Sequence, residues 1–201
     1  MATRNTGSVF TRVLKGSLEM NRYKNTRILA ESAVLTAAAL ALSYIKIPIG
    51  FTLGGFGGSI DFVMIPLIII ALRHGAGWGL GAGLVFGTLK YFFAAGFAFN
   101  WQSIILDYAV AYMAVGLAGL PRVRRNAVAG TLVGVAGRFI IHFISGITIY
   151  AQWMPEEFLN MTMTNTWVYS LLYNGTYMLP NAILAVIIVP VLTAILRKQN
   201  I

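Results

Sequence analysis

From Ile28 to Leu196 the chain is a series of apolar stretches broken by short polar or basic segments, and this alternation restricts the fold before any motif is considered. Crossing the ~30 Å hydrocarbon core of a bilayer takes roughly 20 apolar residues in a helix. A backbone in lipid must also satisfy its own hydrogen bonds, which favours helices for runs of this kind. Six stretches serve: 28–47, 60–73, 77–97, 103–121, 127–150 and 166–196. The second is short and needs tilt or an extension from the loop before it. The expected fold is all-α, an integral membrane bundle of six transmembrane helices spanning 28–201, preceded by a basic cytoplasmic tail over 1–27. Only 10% of the residues are charged, against about 25% in a soluble domain.

The net charge of +9 would suggest a nucleic-acid partner in a soluble protein, but here its distribution gives a better account. With the amino terminus inside, the inner segments collect Arg4, Arg12, Lys15, Arg22, Lys24, Arg27, Arg73, Arg122, Arg124, Arg125, Arg197 and Lys198, twelve of the fifteen basic residues. The outer loop 151–165 carries Glu156 and Glu157. Positive charge marks cytoplasmic ends, so both termini are expected inside, with the tail near anionic lipid and no nucleic acid bound. The chain has no cysteine and two histidines, which excludes a thiolate metal site and argues against structural zinc. The phosphate-binding pattern GxxxxGK[ST] is absent, so ATP is not hydrolysed by that route.

The fifth stretch is the most informative. It follows a basic cluster and then carries Arg138 and His142 inside an otherwise apolar run. Ionisable groups at membrane depth are costly and mark functional sites unless they merely pair with one another. Gly130, Gly134, Arg138, His142, Gly146 and Tyr150 recur at steps of four, forming one slowly drifting helical stripe. Its small end suits close helix packing and its polar end suits a pocket wall. In the fourth stretch Asp107 needs a cationic partner, with Arg138 the internal candidate. A structural Asp107–Arg138 pair and a ligand site are both open readings.

Other positions carry weaker signals. Ala33, Ala37 and Ala41, at steps of four in the first stretch, allow close approach of another helix, either within the bundle or from a partner. Glu31 suits a tail arginine. Loop 48–60 is glycine-rich, with Phe51 and Phe56, and serves as connector or lid. Asp61 is placed to cap the second helix. Gly79, Gly83 and Gly87 share a face that suggests a centrally buried third helix, and Lys90 beyond them is expected to snorkel outward. Pro180 and Pro190 are candidate kinks in the last helix.

In this topology Asp107, Tyr108, His142, Gly146, Tyr150, Tyr169 and Asn174 all fall in the outer half of the membrane. A carboxylate, an imidazole, an amide and several aromatics at one depth describe a pocket for a small flat cationic or heteroaromatic molecule. The segments GGSIDFVMIPLIIIALRHG (57–75), LDYAVAYMAVGLAGL (106–120), GRFIIHFISG (137–146) and YSLLYNGTYMLP (169–180) resemble the thiamine-specific S components of energy-coupling factor (ECF) vitamin transporters. The resemblance runs from about Ile28 to Leu196. It implies a multi-pass protein of the prokaryotic cell membrane that captures thiamine at the extracellular side for ATP-driven uptake, with no catalytic residue, metal or cofactor. It also implies an ECF transmembrane coupling subunit and two ATPases as partners.

By the same resemblance Asp107 stands where family members carry an acidic residue beside the vitamin, sometimes glutamate. Tyr108, His142, Tyr169 and Asn174 match polar pocket positions, and Gly146 matches the glycine against which the ligand packs. Arg138 falls where a lysine can occur near the hydroxyethyl end, and Tyr150 where a tryptophan can stack. His74 replaces what is often arginine. Phe51 or Phe56 supplies the first-loop aromatic, and Ala33, Ala37 and Ala41 become the face for partner docking. Two alternatives are an S component for another heterocycle, such as a thiamine pyrimidine precursor, and an intramembrane hydrolase with Ser145 as nucleophile and His142 as base. A self-contained carrier would show inverted repeats and broken helices, which are not evident here.

Overall fold

The computed structural model describes residues 6–53, 57–94 and 96–198, apart from the side chains of 6–14, 16, 17, 50 and 51. Six helical passes make up the bundle: α1 (Thr6–Leu42), α2 (Met64–His74), α3 (Ala76–Phe93), α4 (Trp101–Gly119), α5 (Ala127–Thr148) and α6 (Thr166–Lys198). Of these, α4, α5 and α6 are long and apolar enough to cross a bilayer unaided. The first helix runs without a break through residue 27, so the basic segment from Thr6 onward continues the first pass as helix. The last helix likewise continues through Pro180 and Pro190.

The centre of the bundle belongs to α2 rather than α3. Every residue from Met64 to Leu72 is buried, and at 1.5 Å per residue its 11 residues reach only ~16 Å. A helix walled in by others need not match the bilayer, because its ends meet protein instead of lipid. A two-residue strand, Ile60–Asp61 (β2), leads into it and pairs antiparallel with Lys46–Ile47 (β1), which supplies the extension a short pass needs. A second hairpin, Glu157–Phe158 (β3) with Met161–Thr162 (β4), sits in the loop before α6.

Lipid gives helices little apolar drive to associate, so close backbone approach and buried polar pairs hold them. On α3 the buried face is Gly79, Ala82, Gly83, Phe86, Gly87 and Lys90, while Leu84, Val85 and Phe92 on the other faces are exposed. A Cβ added at Gly83 or Gly87 would lie 2.1 Å from the carbonyl oxygen of Tyr112 or Tyr108, so α3 rests directly on the α4 backbone. At the bundle end opposite the hairpins, Glu31 pairs with Arg73 (2.6 Å) and His74 (3.2 Å), not with a tail arginine. The turn between α2 and α3 brings both within reach of α1.

The fourth pass is irregular in the region that matters most. Asn100 caps its start, its side chain accepting from the Ser103 N–H at 2.9 Å. Between Ile104 and Val110 the backbone widens into a π-helix, with the Ala111 N–H reaching back to the Leu106 carbonyl. Such bulges gather at functional sites. Two consecutive residues of the widened turn, Asp107 and Tyr108, line one hollow. The fifth pass starts regularly, its Asn126 side chain accepting from the N–H groups of Val128 and Ala129.

Candidate substrate-binding cavity

A cavity of about 150 Å³ opens among α3, α4, α5 and α6 at the bundle end that carries the hairpins. All eight positions singled out for substrate binding line it: Asp107, Tyr108, Arg138, His142, Gly146, Tyr150, Tyr169 and Asn174. The stripe of fours explains half of them, with Gly130 and Gly134 buried below on α5, Arg138, His142 and Gly146 facing the hollow above, and Tyr150 just past the helix end. Phe56 lies outside the described residues, as does the side chain of Phe51, so neither is placed relative to the cavity.

The expected Asp107–Arg138 ion pair does not form. Asp107 Oδ2 accepts from Ser103 Oγ (3.0 Å) and Ser145 Oγ (2.9 Å), and Oδ1 lies 3.1 Å from His142 Nδ1. Arg138 turns the other way, donating from Nε to His142 Nε2 (3.3 Å) and from Nη2 to the Tyr112 hydroxyl (2.9 Å). A guanidinium only donates, so Nε2 of His142 must accept. The imidazole therefore keeps its one hydrogen on Nδ1 and gives it to Asp107. His142 sits between the two charges as a neutral spacer, and among the described residues Asp107 is met by neutral donors alone. The one-turn offset of Arg138 below His142 on α5 sets this order.

The aromatic walls come from two sides. Tyr169, Tyr173 and Tyr177 stack up α6 at steps of four, with ring centroids 5.6 and 6.1 Å apart, and Tyr177 meets the His142 ring edge-on at 6.1 Å. Phe158 of the second hairpin closes on Tyr169 at 5.3 Å. Opposite, Tyr108 spends its hydroxyl on Phe97, accepting from its N–H (2.6 Å) and donating to its carbonyl (3.0 Å), which leaves the ring to face the hollow. Tyr150 hydrogen-bonds Ser103 at 2.6 Å. Gly146 lets α6 come close, since a Cβ there would meet Ser170 Oγ at 2.2 Å.

Asn174 is more fully satisfied than its isolated position in an apolar run suggests. Its Nδ2 donates to the Ser170 carbonyl (2.9 Å) and Ser170 Oγ (3.2 Å), and its Oδ1 accepts from the Tyr177 hydroxyl (2.5 Å). It braces the tyrosine wall. The hydrolase geometry is absent: Ser145 donates to Asp107 rather than to His142, and both imidazole nitrogens are engaged elsewhere, so no base stands over the hydroxyl.

Among the lining residues that the sequence reading did not assign to the site are Lys90, Tyr112 and Tyr177. Lys90 does not snorkel outward. It is 7% exposed, with its ammonium 3.3 Å from Asp61 Oδ2 and 2.6 Å from the Tyr112 hydroxyl. The signal was present, because Lys90 follows Gly87 by three on the packed face of α3. Asp61 in turn is more than a cap: besides accepting from the Val63 N–H (3.2 Å) just before α2, it takes Ser59 Oγ (3.0 Å) and the Lys90 ammonium. Among the described residues no cluster of His, Asp and Glu has the grouping to hold a metal.

Comparison with known proteins places the chain among transporters. The sequence model of the family described as thiamine transporter protein matches residues 29–200. Thiamine transporter ThiT of Bacillus subtilis is 34% identical over 184 residues, covering 84% of this chain and 91% of that protein. Thiamine transporter ThiT of Lacticaseibacillus paracasei is 30% identical over 193 residues, covering 88% and 91%. Two solved structures share the fold. ThiT from Listeria monocytogenes superposes with a TM-score of 0.73 at 24% identity, covering 87% of this chain and 97% of that one. The S component of a bacterial ECF transporter gives 0.57 at 18% identity, covering 87% and 98%.

Proposed function

Because the chain belongs to the thiamine transporter protein family of the bacterial cell membrane, we propose that its cavity is the site where thiamine is captured. The observation that carries this reading is the carboxylate of Asp107, which lines an aromatic hollow and is contacted by two serines and a neutral imidazole but, among the described residues, by no cation. The other buried carboxylate of the region, Asp61, already has Lys90. An anion at membrane depth without a counter-ion is costly, and a cationic ligand would supply one.

Thiamine fits that demand by its chemistry. It joins a permanently cationic thiazolium to an aminopyrimidine whose amino group donates hydrogen bonds, and it ends in a hydroxyethyl arm. Tyrosine faces attract such a cation by ~0.5–2 kcal/mol. Tyr108, Tyr150 and Tyr169 supply faces, Asp107 supplies the anion and acceptor, and Arg138 and His142 order the polar floor. Gly146 and Asn174 keep α5 and α6 at the spacing that leaves the hollow open.

The subunit would act at the extracellular side and depend on other chains for energy, since it carries no phosphate-binding loop of its own. An ECF transmembrane coupling subunit driven by two ATPases is the partner set that the resemblance to thiamine-specific S components implies. Ala33, Ala37 and Ala41 are exposed along α1, opposite the buried Ser32, Thr36, Ala39 and Ser43, so a smooth strip is left for a helix of the coupling subunit. Isothermal titration of the detergent-solubilised protein with thiamine, its phosphates and the free pyrimidine tests the site. Tight binding of thiamine supports the reading. Tight binding of the pyrimidine alone would transfer the site to a precursor.

A further inference from the structure

A second hollow, of about 290 Å³, lies at the bundle end away from the hairpins, between the closing turns of α2 and α6. Leu72, Arg73, His74, Thr193 and Arg197 line it. Helical register produces this convergence: Arg73 and His74 end α2, while Thr193 and Arg197 stand four apart on one face of α6. Basic side chains in a last turn suit the helix dipole, and that alone would account for the arginines. It does not account for Thr193.

Thr26, Thr36, Thr88, Thr131 and Thr148 each donate their hydroxyl to the carbonyl four residues back in their own helix. Thr193 does not. It is 3% exposed, and its Oγ1 is buried with no hydrogen-bond partner among the described residues. A buried hydroxyl left in that state is costly. The donors around it are short of acceptors as well. Glu31 stands 2.6 Å from Arg73 Nε and 3.2 Å from His74 Nε2, but neither contact has hydrogen-bond geometry and both nitrogens stay unsatisfied. Among the described residues Arg197 has no carboxylate within ion-pair distance. One carboxylate therefore faces two guanidiniums. A third, Arg124, brings Nη1 to 3.0 Å from where a Cβ on Gly75 would sit, over the turn that follows His74.

Such a wall lacks an anion that can accept several hydrogen bonds at once. A phosphoryl group does so, and guanidinium forks match its oxygens. The distribution of arginine and lysine assigns this end of the bundle to the cytoplasmic surface, where basic pockets between helices meet anionic headgroups. We propose that the hollow binds a phosphoryl oxyanion, with Arg73 and Arg197 supplying charge and the Thr193 hydroxyl donating the hydrogen bond that orients it. An anionic phospholipid headgroup and free phosphate share this chemistry. The site is separate from the substrate cavity, and its existence is independent of what that cavity captures.

The full-length protein in detergent is titrated with phosphatidylglycerol, phosphatidylcholine and inorganic phosphate in turn, at about 150 mM salt so that diffuse attraction beyond about 8 Å is screened. Binding is read from the rise in melting temperature with ligand concentration. A saturable rise with phosphatidylglycerol or phosphate is expected: with the lipid alone it assigns the site to a headgroup, with phosphate alone to a soluble anion. Thr193→Val should melt no lower than the wild type without ligand, yet bind about tenfold more weakly, and Arg197→Gln should weaken binding by at least that factor. Arg22→Gln removes the same charge from an exposed position outside the hollow and should bind as the wild type does. The absence of a saturable response to either anion overturns the proposal. An equal rise with phosphatidylcholine, whose own ammonium balances its phosphate, overturns it too, as does equal weakening by Arg22→Gln and Arg197→Gln. Thr193→Val protein that binds as tightly as the wild type also overturns it; if that variant does not fold, the comparison of Arg197→Gln with Arg22→Gln decides.

Discussion

Replacing Asp107 with asparagine removes the charge at the cavity while leaving nearly every local contact a way to persist. Asn Oδ1 can still accept from His142 Nδ1, and the new amide can donate to Ser103 and Ser145, whose hydroxyls rotate to accept. Folding should therefore survive with a similar melting temperature. What disappears is the attraction between the carboxylate and a cationic ligand. A hydrogen bond to a charged group contributes about 1.5–3 kcal/mol and a neutral one about 0.5–1.5, so the loss of charge alone sets a floor of about 1–1.5 kcal/mol. A full charge pair at about 4 Å and an effective dielectric near 20 sets a ceiling of ~4 kcal/mol. Thiamine binding measured by isothermal titration should thus weaken by about tenfold to a thousandfold. An asparagine variant that folds and binds thiamine within about twofold of the wild type would refute the idea that Asp107 is the counter-ion.

Other perturbations probe different links. His142→Ala strips Arg138 Nε and Asp107 Oδ1 of a shared partner and should weaken thiamine binding by at least about tenfold in the same titration; unchanged binding would separate the imidazole from the site. Gly87→Ala pushes a methyl toward the Tyr108 carbonyl, 2.1 Å from where its Cβ must sit. It should cost ~1–3 kcal/mol of stability, seen as a lower melting temperature, and an unaltered transition would contradict the close α3–α4 contact. Ala37→Trp should abolish uptake in cells carrying the full transporter while the isolated protein binds thiamine normally; loss of both would point to misfolding instead.

Much of this arrangement is legible in the residues because helical periodicity is local. The steps of four from Gly130 to Tyr150 place Arg138 and His142 on one face of α5 whatever surrounds them, and Gly79, Gly83 and Gly87 mark the contact face of α3 in the same way. Partner choice is different, because it depends on how helices rotate against one another. Arg138 bonds Tyr112 and His142 rather than Asp107, and nothing in the pattern IILDYAV announces the π-helical turn that carries Asp107. Lys90 reads as a snorkelling residue until α3 is placed with its glycine face against α4, and Asp61 reads as a cap until the first hairpin brings it beneath Lys90. The centrality of α2 was equally hidden, as an 11-residue helix becomes the core only once its neighbours surround it.

The most direct test asks whether the cavity arrives already filled. The protein is purified in detergent from cells grown with thiamine, denatured, and its released vitamin quantified as thiochrome fluorescence, beside the Asp107→Asn variant. The account predicts thiamine in near-stoichiometric amount with the wild type and far less with the variant. Wild-type protein that releases no thiamine, and takes up none when the vitamin is added back, would contradict it.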